Sequence, residues 1–125
     1  MTRQQLELWL TAYGRAWMNR DPEAAARLFS EDVTYHETPF AEPARGIEGV
    51  RSYWAENTTV QRDVRFRHEV LALEGHRGIA RWWAEYVRPT TGVRAKLDGL
   101  FVLEFAEDGR CRRLEEWWHR IESGP

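Results

Sequence analysis

The sequence predicts an α+β domain, with helices first and an antiparallel sheet after them. Three observations carry this reading. Apolar residues recur at helical spacing as far as residue 57, the period drops to two from residue 62, and the period-two segments are separated by short turn signals.

Taken in order, Leu6, Trp9, Leu10, Tyr13 and Trp17 form one apolar stripe and define a first amphipathic helix. In the following DPEAAARLFS, Asp21 is a good N-cap and Pro22 sits where its missing N–H costs nothing, so a short second helix is expected. DVTYHET alternates as a strand, with Val33, Tyr35 and Glu37 on one face and Thr34, His36 and Thr38 on the other. PFAEPARG reads as a connecting loop, because two prolines break a ladder. Ile47, Val50, Tyr53 and Trp54 then mark a third helix in GIEGVRSYWAEN. Four strands follow, DVRFRHEVLALE, GIARWWAEYVR, VRAKLDGLFVLEF and RCRRLEEWWHRI, joined by GHRG, PTTG and AEDG. They are expected to meander. In the third of them the odd-numbered residues from Val93 to Phe105 are the apolar set and point inward. Trp82 with Trp83, and Trp117 with Trp118, put an indole on each side of the sheet, so neither pair reveals which member faces in. Helices cover only one face, and the other is expected to pack on a second copy of the chain.

At 125 residues and 42% hydrophobic content, residues 1–125 are expected to form one domain with a real core. Seven tryptophans in so short a chain must fill that core, line a cavity or cover an interface. A net charge of −2 with no basic run argues against nucleic acid as a partner. The first segment carries charge every few residues, unlike a signal peptide or a membrane span, so a cytoplasmic protein without membrane attachment is expected. The lone Cys111 forms no internal disulfide, and no Cys or His pair has zinc-ligand spacing. There is no nucleophile elbow and no glycine-rich phosphate loop.

The order helix, helix, strand, helix, meander, together with NRDPEAAARLFSEDV, the proline loop after the first strand, FAEDGR and the closing EEWWH, resembles the nuclear transport factor two-like superfamily. That is the cone-shaped α+β fold of SnoaL-like polyketide cyclases, ketosteroid isomerases and limonene epoxide hydrolases. The resemblance covers nearly the whole chain and implies a pocket between the helices and the concave sheet. In the ketosteroid isomerase pattern a carboxylate base works with a tyrosine and a protonated aspartic acid that donate to the oxyanion. By position, Tyr13 matches the tyrosine and Glu37 the base, while Phe101 stands where the aspartic acid should be. The epoxide hydrolase arrangement of two carboxylates and a guanidinium has a weaker counterpart in Arg81, Glu85 and Glu116, provided that odd residues of ARWWAEY and even residues of RLEEWW both face inward.

The pocket is therefore expected to be lined by Trp17, Tyr35 and Tyr53 from the first half of the chain. Trp83, Phe101, Leu114, Glu116 and Trp118 are expected from the sheet. A partner for the Tyr13 phenol is sought in Glu37 or a ligand oxygen. Parity turns His36 away from Glu37, towards the surface or an interface, and His119 reads as a packed or interfacial histidine. The expected function is cofactor-free acid/base chemistry, of isomerase, cyclase, hydratase or epoxide hydrolase type, on a small apolar metabolite. The other reading is a non-catalytic ligand-binding or dimerisation module, since this scaffold hosts many unrelated activities.

Overall fold

The computed structural model describes residues Met1–Pro125. Helix α1 (Arg3–Met18) starts from Thr2, whose hydroxyl accepts from the Gln5 backbone while the Gln5 side chain accepts from the Thr2 N–H, a reciprocal cap. Its stripe of Leu6, Trp9, Leu10 and Tyr13 is buried as the spacing requires. The short α2 (Pro22–Ala26) is capped by Asp21, which accepts from Ala24 N–H at 3.1 Å. Strand β1 (Phe29–His36) begins earlier than alternation alone indicates, and Glu37 lies just beyond its end.

The proline loop contains one unanticipated element, the two-residue strand β2 (Ala44–Arg45), which pairs antiparallel with β1 through Thr34 and Tyr35. Gly46, at a φ of 70°, makes the turn into α3 (Gly46–Thr58) that few other residues could make. The long strands β3 (Arg62–Glu74), β4 (Arg77–Val87), β5 (Arg94–Phe105) and β6 (Cys111–Ser123) form the expected antiparallel meander.

The sheet order is β2-β1-β6-β5-β4-β3. Strand β1 pairs with β6 in parallel, a contact between the two ends of the chain that local patterning does not disclose. Irregular registers interrupt β1/β6, β3/β4 and β5/β6, and such bulges bend strands, here wrapping the sheet around the helices. Helix α1 crosses β3, where the Glu7 carboxylate meets His68 at 2.9 Å, and α3 lies over β1. The core fills the space between. Trp82, Phe29, Phe101, Leu6, Leu10, Leu103 and Leu114 are its largest wholly enclosed side chains.

The inward face of β5 is the odd-numbered one, with Phe101, Leu103 and Phe105 buried. On β4 the inward residues are even: Ala80, Trp82, Ala84 and Tyr86. Both tryptophan pairs are thereby resolved, with Trp82 and Trp118 inside and Trp83 and Trp117 outside. No helix is long and apolar enough to cross a membrane.

Candidate functional site

A cavity of about 90 Å³ opens between α1, α3 and the inner face of the sheet. Its walls are mainly aromatic. Tyr13 and Trp17 come from α1, Tyr53 and Trp54 from α3, Tyr35 from β1, and Trp82 and Trp118 from the sheet. Two carboxyl groups interrupt this surface, Glu37 and Glu116.

Glu37 is placed by the end of β1, where the chain leaves the ladder for the proline loop. Its carboxylate accepts from the Tyr53 hydroxyl, and its backbone carbonyl accepts from the Trp118 indole at 3.2 Å, so strand end, helix and sheet all hold it. Glu116 lies on the inward face of β6 and is only 7% exposed. Its carboxyl has no hydrogen-bonding protein group to stabilise its charge. Burial first, and then the nearby Glu37 charge, push it well above the usual carboxylate range. One carboxyl of the pair is anchored by a donor, whereas the other is buried without one and faces like charge. Such an environment separates a base from an acid.

The expected tyrosine is present, but it is not partnered by Glu37. Tyr13 and Tyr35 bond hydroxyl to hydroxyl at 2.7 Å, each almost fully buried. Burial, followed by the proximity of Glu116 for Tyr13 and of Tyr13 for Tyr35, raises both phenols far above their usual range and keeps them neutral donors. Glu37 instead takes Tyr53, whose ring lies 5.0 Å from that of Tyr35.

Of the side chains expected in the pocket, Tyr13, Trp17, Tyr35, Glu37, Tyr53, Glu116 and Trp118 line the cavity. Phe101 and Leu114 do not; they are wholly buried in the core, with the Phe101 ring 5.1 Å from Tyr13 and 5.2 Å from Trp82. Trp83 is a correction. It faces outward, its indole held between the guanidinium groups of Arg67 and Arg81 at 4.0 and 4.6 Å. The polar cluster of Arg81, Glu85 and Glu116 is not assembled either, because even parity on β4 leaves Arg81 and Glu85 outside while Glu116 is inside. Arg81 forks onto Asp98 at 2.7 and 3.1 Å, and Glu85 sits 3.7 Å from Lys96.

Phe101 in the place of an acid is explained by the ladder, in which Phe101 is the direct cross-strand partner of Glu116. The second acid of the cavity comes from the next strand at the same level. Sequence reasoning missed Trp54, Asn57, Thr58, Gln61, Trp82, Tyr86, Leu97 and Arg120 in the lining. For the sheet residues the signal was strand parity, available once Trp82 is seated on Gly99, where no side chain fits. His36 faces away from the cavity; partial burial, then the positive charge of Arg113, lower its pKa.

Two of the three buried side-chain atoms without a partner, the indole nitrogens of Trp54 and Trp82, belong to cavity residues.

The model of a family described as a SnoaL-like domain matches residues 10–114. No curated protein sequence matches the chain. Among solved structures, the epoxide hydrolase/cyclase-like enzyme SalBIII, of pyran ring formation in the polyether salinomycin, superposes with a TM-score of 0.80 at 19% identity, over 93% of this chain and 92% of that one. The protein RV0760c of Mycobacterium tuberculosis gives 0.85 at 12% identity, over 98% and 99%. A computationally designed 17-OHP binder gives 0.81 at 15% identity, over 95% and 97%. At such identities the likeness is one of fold.

Proposed function

Because this chain belongs to the SnoaL-like domain family, we propose that it is a cofactor-independent acid/base catalyst acting on a small, largely apolar metabolite held in the aromatic cavity. The single observation that carries this is that Glu37, anchored by Tyr53, and the buried Glu116 line one cavity. On a ketone, the Glu37 carboxylate takes a proton from the carbon beside the carbonyl, while the Glu116 acid hydrogen-bonds to the oxygen on which charge develops. The proton on Glu37 then returns to another carbon, completing an isomerisation. On an epoxide, Glu116 gives its proton to the ring oxygen as a C–O bond breaks. Glu37 meanwhile accepts the proton of the attacking water or hydroxyl, so that cyclisation and hydrolysis differ only in the nucleophile. In the Tyr13–Tyr35 pair one hydroxyl donates to the other, which leaves one neutral O–H donor on the same wall.

The test is a panel of β,γ-unsaturated ketones and epoxy alcohols assayed by NMR with wild-type protein, Glu37→Gln and Glu116→Gln. Turnover of at least one class is expected, reduced about 10²–10⁴-fold by Glu37→Gln, the usual worth of a general base. Saturable binding with no turnover by wild type contradicts catalysis. It would favour the second reading, ligand capture, which is supported by the designed 17-OHP binder of the same fold.

A further inference from the structure

The geometry points to Arg120 as a specificity residue that reads a carboxylate on the ligand at the mouth of the cavity. This inference rests on the cavity being a ligand site, as proposed above, and adds to it the polarity of the ligand's outer end. Residues 114, 116, 118 and 120 share the inward parity of β6, so Glu116, Trp118 and Arg120 form one row from the interior to the rim. Four residues of extended strand separate the Glu116 and Arg120 Cα atoms by roughly 13 Å. A compact ligand can span that distance once both side chains reach towards it.

Arg120 is the only cationic residue in the cavity lining. Its guanidinium carbon lies 5.5 Å from the centre of the Trp118 ring, which fixes it over the aromatic wall. Its one acidic neighbour is already engaged: Glu122 accepts from Arg88 at 2.6 and 3.1 Å and meets Arg120 only at 3.5 Å. Arg120 thus keeps charge and donors available for an incoming anion, as a planar guanidinium does for carboxylates. Gln61 adds a neutral donor to the lining. Its Oε1 accepts from the Trp17 indole at 2.7 Å, leaving its amide NH₂ uncommitted.

A matching ligand has an acceptor oxygen at its inner end for Glu116, an apolar body, and a carboxylate outside. No cation lies in the interior to tolerate the reverse orientation, which would place like charge against Glu37. The class is an oxygenated apolar carboxylic acid, distinguished from its neutral amide or ester.

The experiment uses 3-(4-acetylphenyl)propanoate and its primary amide as a matched pair, titrated against intrinsic tryptophan fluorescence. The acid is expected to bind wild-type protein about tenfold more tightly than the amide, equivalent to about 1.4 kcal/mol. That preference should fall with added salt. Arg120→Gln should remove the preference, weakening the acid about tenfold more than the amide, and Arg120→Lys should retain most of it. Equal binding of acid and amide to wild type, or an equal loss of both in Arg120→Gln, overturns the assignment of Arg120 and leaves the cavity reading intact. Failure of both ligands to bind wild type overturns the cavity reading and this inference with it.

Discussion

Glu116 is the residue on which the proposed chemistry turns, and its environment has a consequence for stability. A carboxyl raised by burial binds its proton more tightly in the folded chain than in the unfolded one. Its contribution therefore favours folding below the ordinary value of 4.5 and is lost progressively as pH rises towards the folded value. Glu116→Gln removes the titration. Denaturant unfolding across a pH series should show the variant gaining on wild type as pH increases from mildly acidic to neutral; parallel curves would contradict a raised Glu116 carboxyl. The Tyr13–Tyr35 pair makes a second prediction at this scale. Tyr13→Phe leaves a buried hydroxyl unpaired at a cost of about 1–3 kcal/mol, and the double change to Phe should cost less than the two single changes added together. Additivity in that cycle would mean the hydroxyls do not depend on each other. The sequence exposed Tyr13 and Glu37 by position, but not that each takes a different tyrosine as partner. Hydroxyl pairing depends on how α1 and α3 approach β1, and no single-segment pattern encodes that approach.

Among the elements, β4, β5 and β6 position the site through close backbone contact. A Cβ at Gly99 would lie 2.7 Å from the Trp82 indole edge and 2.8 Å from the Trp117 carbonyl oxygen. Gly99→Ala should therefore displace Trp82 towards the cavity, with destabilisation of about 1–3 kcal/mol and weaker ligand quenching; unchanged stability and binding would contradict the packing described. Gly14 plays the same part for α1 on β3, where a Cβ would meet the Phe66 ring at 2.4 Å. The element order, the meander and the odd inward face of β5 were legible because each follows from local periodicity. The inward face of β4 was not, since Trp82 and Trp83 satisfy either parity, and only pairing with Gly99 and the cation–π seat of Trp83 between two arginines decide it. The mistaken grouping of Arg81 and Glu85 with Glu116 follows from that one ambiguity. The parallel β1/β6 pairing was illegible for a different reason: it joins segments about eighty residues apart through bonds that leave no mark on either.

Viewed as a whole, the molecule covers one face of its sheet with helices and leaves the other bare. On the bare face Leu100 and its cross-strand partner Trp117 are 40% and 46% exposed, with Ile121 nearby on β6 at 70%. We propose that a second copy covers this patch. Sedimentation should give a dimer for wild type and a monomer for the double variant Leu100→Glu, Trp117→Glu, whereas a monomeric wild type contradicts the proposal. Inside the cone, Glu37, held by Tyr53, and the buried Glu116 face one aromatic cavity, and the proposal is that they form a base and an acid. That claim is tested most directly by a carboxyl-carbon NMR titration of glutamate-labelled protein, with Glu37→Gln and Glu116→Gln used to assign the two signals. The account predicts that at neutral pH the Glu116 signal is that of a protonated acid; a Glu116 signal that titrates with the exposed glutamates would contradict it.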